Sequence, residues 1–331
     1  VTENRGAISW FTPPIGDGVG YGYVAISLIR AIQARGVDVG FTKNEPKVHV
    51  NFAQPTLYLG LGSQYRVGYT PWESTALDPI WVSTMQQQDE IWTTSDFCME
   101  VFKKYNVHKK LTKVPHGISD VWEIYEREIG DKFVFMHSGS PTMRKGSQRV
   151  VDAFLDLFEG NDHFHLLMKS TGPSDARWRK KDGVWMGNAN NHPQITTIDS
   201  YLQEEDLVSM YKSANCMVYP TNGEGWGLAP WQAIATGMPT ICTNATGCAD
   251  FAELSIPLDS KPIPAYGVHL GNWVEPDADD LRDKMKWVTE NYAEAREKVM
   301  HSARVVHDTQ SWSNVADQVI DILGEKIFEL C

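Results

Sequence analysis

Short apolar runs alternate with stretches of helical hydrophobic period along most of the chain, and several runs end in glycine-rich loops. Ala7–Phe11, Val37–Phe41, Val48–Phe52, Glu90–Thr93, Leu111–Val114, Phe133–Met136, His165–Met168, Cys216–Tyr219 and Thr240–Thr243 read as strands. Between them Val24, Ile26, Leu28, Ile29 and Ile32 repeat at helical spacing up to a stop at Gly36, and Val150, Val151, Phe154, Leu155 and Phe158 mark another helix face. Ser95 or Asp96 can cap a helix through Tyr105. Glu204–Lys212 reads as helical, and Pro230 just inside a helix start with Gly237 just past its end brackets the next helix. The stretches of about 279–292, 293–307 and 313–329 carry the last helical patterns. Strand–helix repetition of this kind folds as parallel sheets with helices on both faces.

At 331 residues the chain is long enough for about two domains, each burying its own core without staples. The charged, aperiodic stretch Ile118–Asp131 is where the boundary is expected. Hydrophobic residues make up 42% and charged residues 22%, which argues against disorder. A net charge of −12 opposes phosphate backbones and anionic lipid unless a local basic patch overrides it. The twelve Trp supply core volume or stacking surfaces for sugars and bases. Five Cys with no C-x-x-C fit unpaired thiols in a reducing compartment, so the expected location is cytoplasmic. No apolar run approaches the roughly 18 residues of a membrane span. The start, Val1–Arg5, has neither an initiator Met nor the apolar core of a secretion signal.

Three loops are able to carry chemistry. Gly223-Glu224-Gly225-Trp226-Gly227-Leu228 lies directly between a strand and a helix. Such a turn lets backbone approach a ligand, and the following helix start aims free N–H groups at the sheet's carboxyl edge, an anion site suited to a diphosphate. Glu224 at its mouth would repel phosphate, so a role towards sugar hydroxyls fits it better; an ordinary glycine turn is the plainer alternative. Met143-Arg144-Lys145-Gly146 follows another strand and can hold phosphate oxygens, or be a solvated basic loop. Gly16–Gly22 alternates glycines rather than matching G-x-G-x-x-G; it suits a flexible ligand-facing loop or a turn needing positive φ. His163 and His165 near Asp162 offer two imidazoles but no third metal ligand of clear spacing. Trp72-Glu73-Ser74 lies on a loop whose Glu can touch substrate or cap. Neither G-x-S-x-G nor H-E-x-x-H occurs, so hydrolase templates find no match.

Taken together the motifs resemble glycosyltransferase family 4. Glu224-Gly-Trp-Gly-Leu, then Gln232-Ala and Thr236-Gly-Met-Pro-Thr, is similar to the family's E-G-F-G-L-x-x-x-E-A…G-x-P signature. Arg144-Lys145-Gly146 resembles its R-K-G segment, Val114-Pro-His-Gly-Ile118 its V-P-N/H-G-V/I segment, and Trp92-Thr-Thr-Ser95 with Phe97 and Phe102 its W-x-x-S-x-F segment. The Gly18-Val-Gly20 loop resembles its first glycine loop. The resemblance implies an α/β GT-B fold: two facing Rossmann-like domains with parallel sheets and an inter-domain cleft. It implies an acceptor-side domain over 1–122, a nucleotide-sugar-binding domain over 123–310, and a closing helix over 311–331 packing back on the first domain.

Carried over residue by residue, the resemblance implies that Lys145 with Arg144 binds the donor diphosphate and that Glu224 lies by the donor sugar. Gly227 and Leu228 would present backbone N–H groups to the diphosphate, and Gly18 and Gly20 would lie near the phosphates. Ser200, Tyr201 and Leu202 would line the base pocket, and Glu73 and Asp17 would stand on the acceptor side. Gln232 occupies the position of the family's second Glu, keeping an acceptor oxygen for the ribose while losing the charge. Ser138-Gly139-Ser140 lacks the additional Arg often found before R-K-G, and the first half is shorter than usual. The expected activity is that of a retaining glycosyltransferase, moving a sugar from a UDP- or GDP-linked donor to a hydroxyl of a glycan, lipid-linked, protein or modified-DNA acceptor. It would use no metal and no cofactor besides the donor. A nucleotide-sugar-binding or lectin-like protein that has lost turnover is the competing class. A modified-DNA acceptor would draw on a basic strip at Lys103, Lys104, Lys109, Lys110 and Lys113.

Overall fold

A computed structural model of the chain describes residues 8–13, 20–41, 46–60, 65–170, 179–181, 184–186 and 192–328. Asp17 and Gly18 lie outside them. Contacts divide the chain into two compact units: one of Val1–Ser119, Ala265–Asn272 and Thr309–Cys331, the other of Asp120–Pro264 and Trp273–Asp308.

The first unit is built on β1 (Ile8–Phe11), α1 (Gly20–Gln33), β2 (Val39–Phe41), β3 (Val48–Phe52), β4 (Tyr65–Tyr69), α2 (Pro79–Met85), β5 (Glu90–Thr93), α3 (Asp96–Lys104) and β6 (Leu111–Lys113). Its sheet runs β2-β1-β3-β4-β5-β6, parallel throughout. Val24, Leu28, Ile29 and Ile32 form the buried stripe of α1, the face their spacing predicts. Asp78 starts α2 by accepting from the Ile80 N–H, with Pro79 at the first helical position. Ser95, rather than Asp96, caps α3 by accepting from the Cys98 N–H. Trp72, Trp81, Met85, Ile91 and Phe102 fill the core under these helices. Burying a large side chain of this kind contributes roughly 1.5–3 kcal/mol.

The second unit holds β7 (Phe133–Ser138), α4 (Ser147–Phe158), β8 (Phe164–Lys169), a small antiparallel pair β9 (Arg179–Lys181) and β10 (Val184–Met186), β11 (Ile195–Ile198), α5 (Glu204–Lys212), β12 (Cys216–Tyr219), α6 (Leu228–Ala235), β13 (Thr240–Thr243) and β14 (Ile256–Leu258). A two-stranded ribbon of β15 (Ser260–Pro264) and β16 (Asn272–Pro276) follows, then α7 (Ala278–Glu290) and α8 (Tyr292–Thr309). The main sheet runs β11-β8-β7-β12-β13-β14, again parallel throughout. From β7 the chain works outward through β8 to β11, then returns to the other side of β7 for β12. The order therefore reverses between β7 and β12, and ligands of open parallel sheets sit at the carboxyl ends of such a strand pair. Phe133, Phe135, Phe154, Phe158 and Leu166 fill the core between this sheet and α4.

The chain closes with α9 (Trp312–Phe328), which contacts α1 in the first unit; there Arg35 pairs with Asp317. The stretch Ile118–Asp131 is more than a charged connector. Trp122 is fully buried, edge-on to Tyr211 at 4.9 Å, with its indole N–H donating to Glu204 at 2.9 Å. Arg127 is also buried and donates to Thr236 Oγ1 and the Tyr211 carbonyl. Its charge is tolerated inside because polar acceptors surround it. Among the described residues no helix is long and apolar enough to cross a membrane.

Candidate active site

The turns after β7 and β12 meet at the switch point of the second unit. Gly146 and Gly227, the residues before α4 and α6, both stand at positive φ, +75° and +108°. A Cβ on Gly146 would lie 2.1 Å from the Pro220 carbonyl oxygen, so only glycine lets the first turn lie against the second. A Cβ on Gly227 would meet Cys248 Sγ at 2.8 Å. Neither helix has a side-chain cap, so first-turn amides of both stay available to a ligand; in α6 those are Leu228 and Ala229, ahead of Pro230. The Arg144 carbonyl accepts from the Asn222 N–H at 2.7 Å and from the Thr221 hydroxyl at 3.0 Å, lacing the turns together.

Glu224 is the centre of the arrangement, and it is buried rather than at an open mouth. Its Oε1 receives Lys145 Nζ at 2.6 Å and Tyr219 OH at 3.0 Å, with Thr221 Oγ1 3.1 Å and Arg144 Nη1 3.3 Å away. Lys145 also donates to Tyr219 OH at 3.1 Å, and Arg144 donates to the Gly223 carbonyl at 2.5 Å. Burial by itself would push the Glu224 carboxyl up; the charges of Lys145 and Arg144 outweigh it and hold the group down at about 2. Burial and the neighbouring carboxylate push the Tyr219 phenol well up, so it stays protonated and donates. The carboxylate that sequence reasoning set apart from phosphate is thus the ion-pair partner of Lys145 and Arg144.

Beneath this layer lies His137, fully buried and stacked on Tyr219 with centroids 5.6 Å apart. Its Nδ1 is 2.9 Å from the Val218 carbonyl and its Nε2 3.0 Å from Ser147 Oγ. Burial lowers this imidazole to about 4, so it is neutral at pH 7, with Nδ1–H donating and Nε2 accepting from Ser147. Trp226, Trp231 and Phe251 pack mutually at 5.3–5.5 Å, so the tryptophan inside the glycine motif is core.

The fold brings Arg144, Lys145, Glu224, Gly227 and Leu228 together. Gln232 is buried one turn into α6, and its carboxamide makes no hydrogen bond among the described residues. Ser200, Tyr201 and Leu202 follow β11 at the same sheet edge, Tyr201 exposed. Gly20 and Glu73 lie in the first unit, Gly20 opening α1 and Glu73 lying 3.3 Å from His269 Nε2. His165 Nε2 lies 2.9 Å from Thr196 Oγ1, and among the described residues no group of three His, Cys, Asp or Glu is placed to hold a metal. From the basic strip, Lys113 is engaged by Asp96 at 2.8 Å. Sequence reasoning missed Tyr219, Thr221 and His137. It also missed Lys169, a buried cation at the carboxyl end of β8 whose Nζ donates to the Ser170 carbonyl at 2.8 Å. The signal available for all but Thr221 was position: each closes, or nearly closes, a strand at the ligand edge.

The model of the family described as "Family 4 Glycosyltransferase in conflict systems" matches residues 112–319, more than half of the chain. The chain belongs to this family. Among curated relatives of this family 4 chain, the capsular polysaccharide biosynthesis glycosyltransferase CapM of Staphylococcus aureus is 26% identical over 128 residues, 39% of this chain and 32% of CapM. The uncharacterized glycosyltransferase MJ1607 of Methanocaldococcus jannaschii is 20% identical over 260 residues, 73% of this chain and 61% of its own length. The chain thus spans about a third of the first of these relatives and about three fifths of the second. Among solved structures, HepE of Anabaena, determined with UDP and glucose, superposes with a TM-score of 0.69 at 10% identity, covering 96% of this chain and 99% of HepE. Two parallel six-stranded sheets flanked by helices, with such neighbours, make this a two-domain GT-B chain of the glycosyltransferase type.

Proposed function

We propose that this family 4 chain is a retaining glycosyltransferase that uses a nucleoside-diphosphate sugar. The observation that carries the reading is the pair of uncapped helix starts flanking Lys145 and Arg144 at the switch point of the second unit. Cations and backbone N–H groups converge there on the space a diphosphate would fill. That HepE was determined with UDP and glucose supports a uridine donor; the Lys–Arg pair and amides serve a guanosine donor equally.

In the reaction so read, the bond from the sugar's anomeric carbon to the diphosphate oxygen breaks as the acceptor oxygen bonds to that carbon from the same face. The acceptor's proton passes to the departing phosphate oxygen. Lys145, Arg144 and the amides of Leu228 and Ala229 take the charge that develops on the diphosphate, so fixed protein charges do the work a metal does elsewhere. Glu224 accepts from a donor-sugar hydroxyl, and Gln232 accepts from the ribose. The decisive experiment incubates the full chain with UDP-, GDP- and ADP-linked sugars and follows nucleoside diphosphate release. Release with one donor class, above the rate without protein, is the expected result. No release with any donor, alongside binding of a nucleotide sugar seen by thermal shift, would leave a binding protein without turnover.

A further inference from the structure

We propose that Glu224 is a resident counter-ion that competes with the donor's diphosphate for Lys145 and Arg144, and so sets how readily the nucleotide product leaves. The inference deepens the donor reading above and rests on it.

The geometry is asymmetric. Both cations and both hydroxyls reach the same carboxylate oxygen, Oε1, and no hydrogen bond among the described residues reaches Oε2. The two cations therefore already hold an anion in a buried, low-dielectric place, where such attraction is strong. A diphosphate drawing on Lys145 shares its charge with Glu224, and the hold of that carboxylate on the lysine weakens what the lysine offers the phosphate. Tyr219 shows that the carboxylate is built to outlast the exchange. Its phenol donates to Oε1 independently of the lysine, so Oε1 keeps a partner when Lys145 moves to phosphate. A carboxylate serving only to hold a lysine does not need it.

The exchange runs in both directions. As the sugar–phosphate bond breaks, charge grows on the diphosphate and draws Lys145 away from Glu224. Once the sugar has gone and the acceptor's proton has reached the phosphate oxygen, reducing its charge, the same carboxylate pulls the lysine back and loosens the product. Oε2, with no donor among the described residues, is the atom left to accept from a sugar hydroxyl, so it acts on the donor while Oε1 acts on the cations.

The test measures binding of UDP, GDP, ADP and inorganic pyrophosphate to the full chain by titration calorimetry, for wild type, Glu224→Asp and Glu224→Gln, with folding followed by circular dichroism. The diphosphate that binds wild type should bind Glu224→Gln about tenfold more tightly, within the usual range of coupling between two sites. Glu224→Asp, whose carboxylate stops one methylene short of the lysine, should fall between. Donor turnover should fall in both variants although nucleotide binding tightens, a split that simple damage to the site cannot produce. Tightening of pyrophosphate as well as nucleotide would locate the effect at the phosphates. Equal or weaker binding in both variants overturns the counter-ion role; if Glu224→Gln does not fold, the order of wild type and Glu224→Asp decides alone. If no diphosphate binds any form, the donor reading falls first and this inference with it.

Discussion

The two units carry sheets of the same size and parallel character, yet α2 and α3 of the first begin differently from α4 and α6 of the second. In the first unit α2 and α3 start on Asp78 and Ser95, whose side chains occupy first-turn amides. In the second, α4 and α6 start on left-handed glycines that have no side chain to offer. The first arrangement spends its helix starts on stability. The second leaves amides open and sets Lys145 and Arg144 beside them. Capping thus separates α2 and α3, whose first-turn amides are occupied by side chains, from α4 and α6, whose first-turn amides face the proposed donor site.

The strongest way to break this contrast is Lys145→Ala. Donor turnover, followed as nucleoside diphosphate release, should fall by about 10²–10³, the usual cost of removing one charge-stabilising donor, while circular dichroism stays unchanged. Unchanged turnover would remove Lys145 from the chemistry and with it the special status of the second unit's edge.

Acid should separate the sites next. The Glu224 carboxyl is held at about 2, below its value in an unfolded chain, so its stabilisation is present above about pH 4.5 and is lost as pH falls towards 2. The shift corresponds to roughly 3 kcal/mol. His137 is lowered to about 4 by burial, so the unfolded chain takes up its proton first and stability already declines between about pH 6.5 and 4. Urea midpoints measured from pH 7 to pH 3 should therefore fall throughout, and Glu224→Gln should flatten the portion below about pH 4.5. A wild-type midpoint independent of pH in that lower range would contradict the ion-pair account.

The smallest effect sharpens the comparison from the other side. Ser95→Ala removes a cap and should cost about 1 kcal/mol of stability, read from the denaturation midpoint, with nucleotide binding unchanged. If nucleotide binding changed with it, capped starts in the first unit would not be purely structural.

Much of this organisation was legible beforehand because periodicity and glycine punctuation are local signals. The alternation around β7, β8, β12 and β13 reads directly from apolar runs, and the chemistry-bearing turns after β7 and β12 stand out by their glycines and charges. What stayed hidden depends on contacts far apart in sequence. The β15–β16 ribbon carries Pro262, Pro264, Gly267 and Gly271, which read as loop. Trp122 and Arg127 sit in a charged, aperiodic stretch whose burial depends on Tyr211 and Thr236, more than 80 positions away. The pairing of Glu224 with Lys145 is not readable from the sequence, because the two residues lie 79 positions apart and meet only when the turns after β7 and β12 pack together. Tyr219 looked like the end of a strand and nothing more, since a phenol's value as a relay shows only once both neighbours are in place.

The lacing of Arg144's carbonyl to Thr221 and Asn222 has a consequence for how such a protein can change. A replacement that reshapes one turn propagates into its neighbour through the shared oxygen and the tight seat of Gly146 on Pro220. Altered donor choice would therefore have to arrive as matched exchanges in both segments, and grafting only one of them from a cousin should yield a misfit.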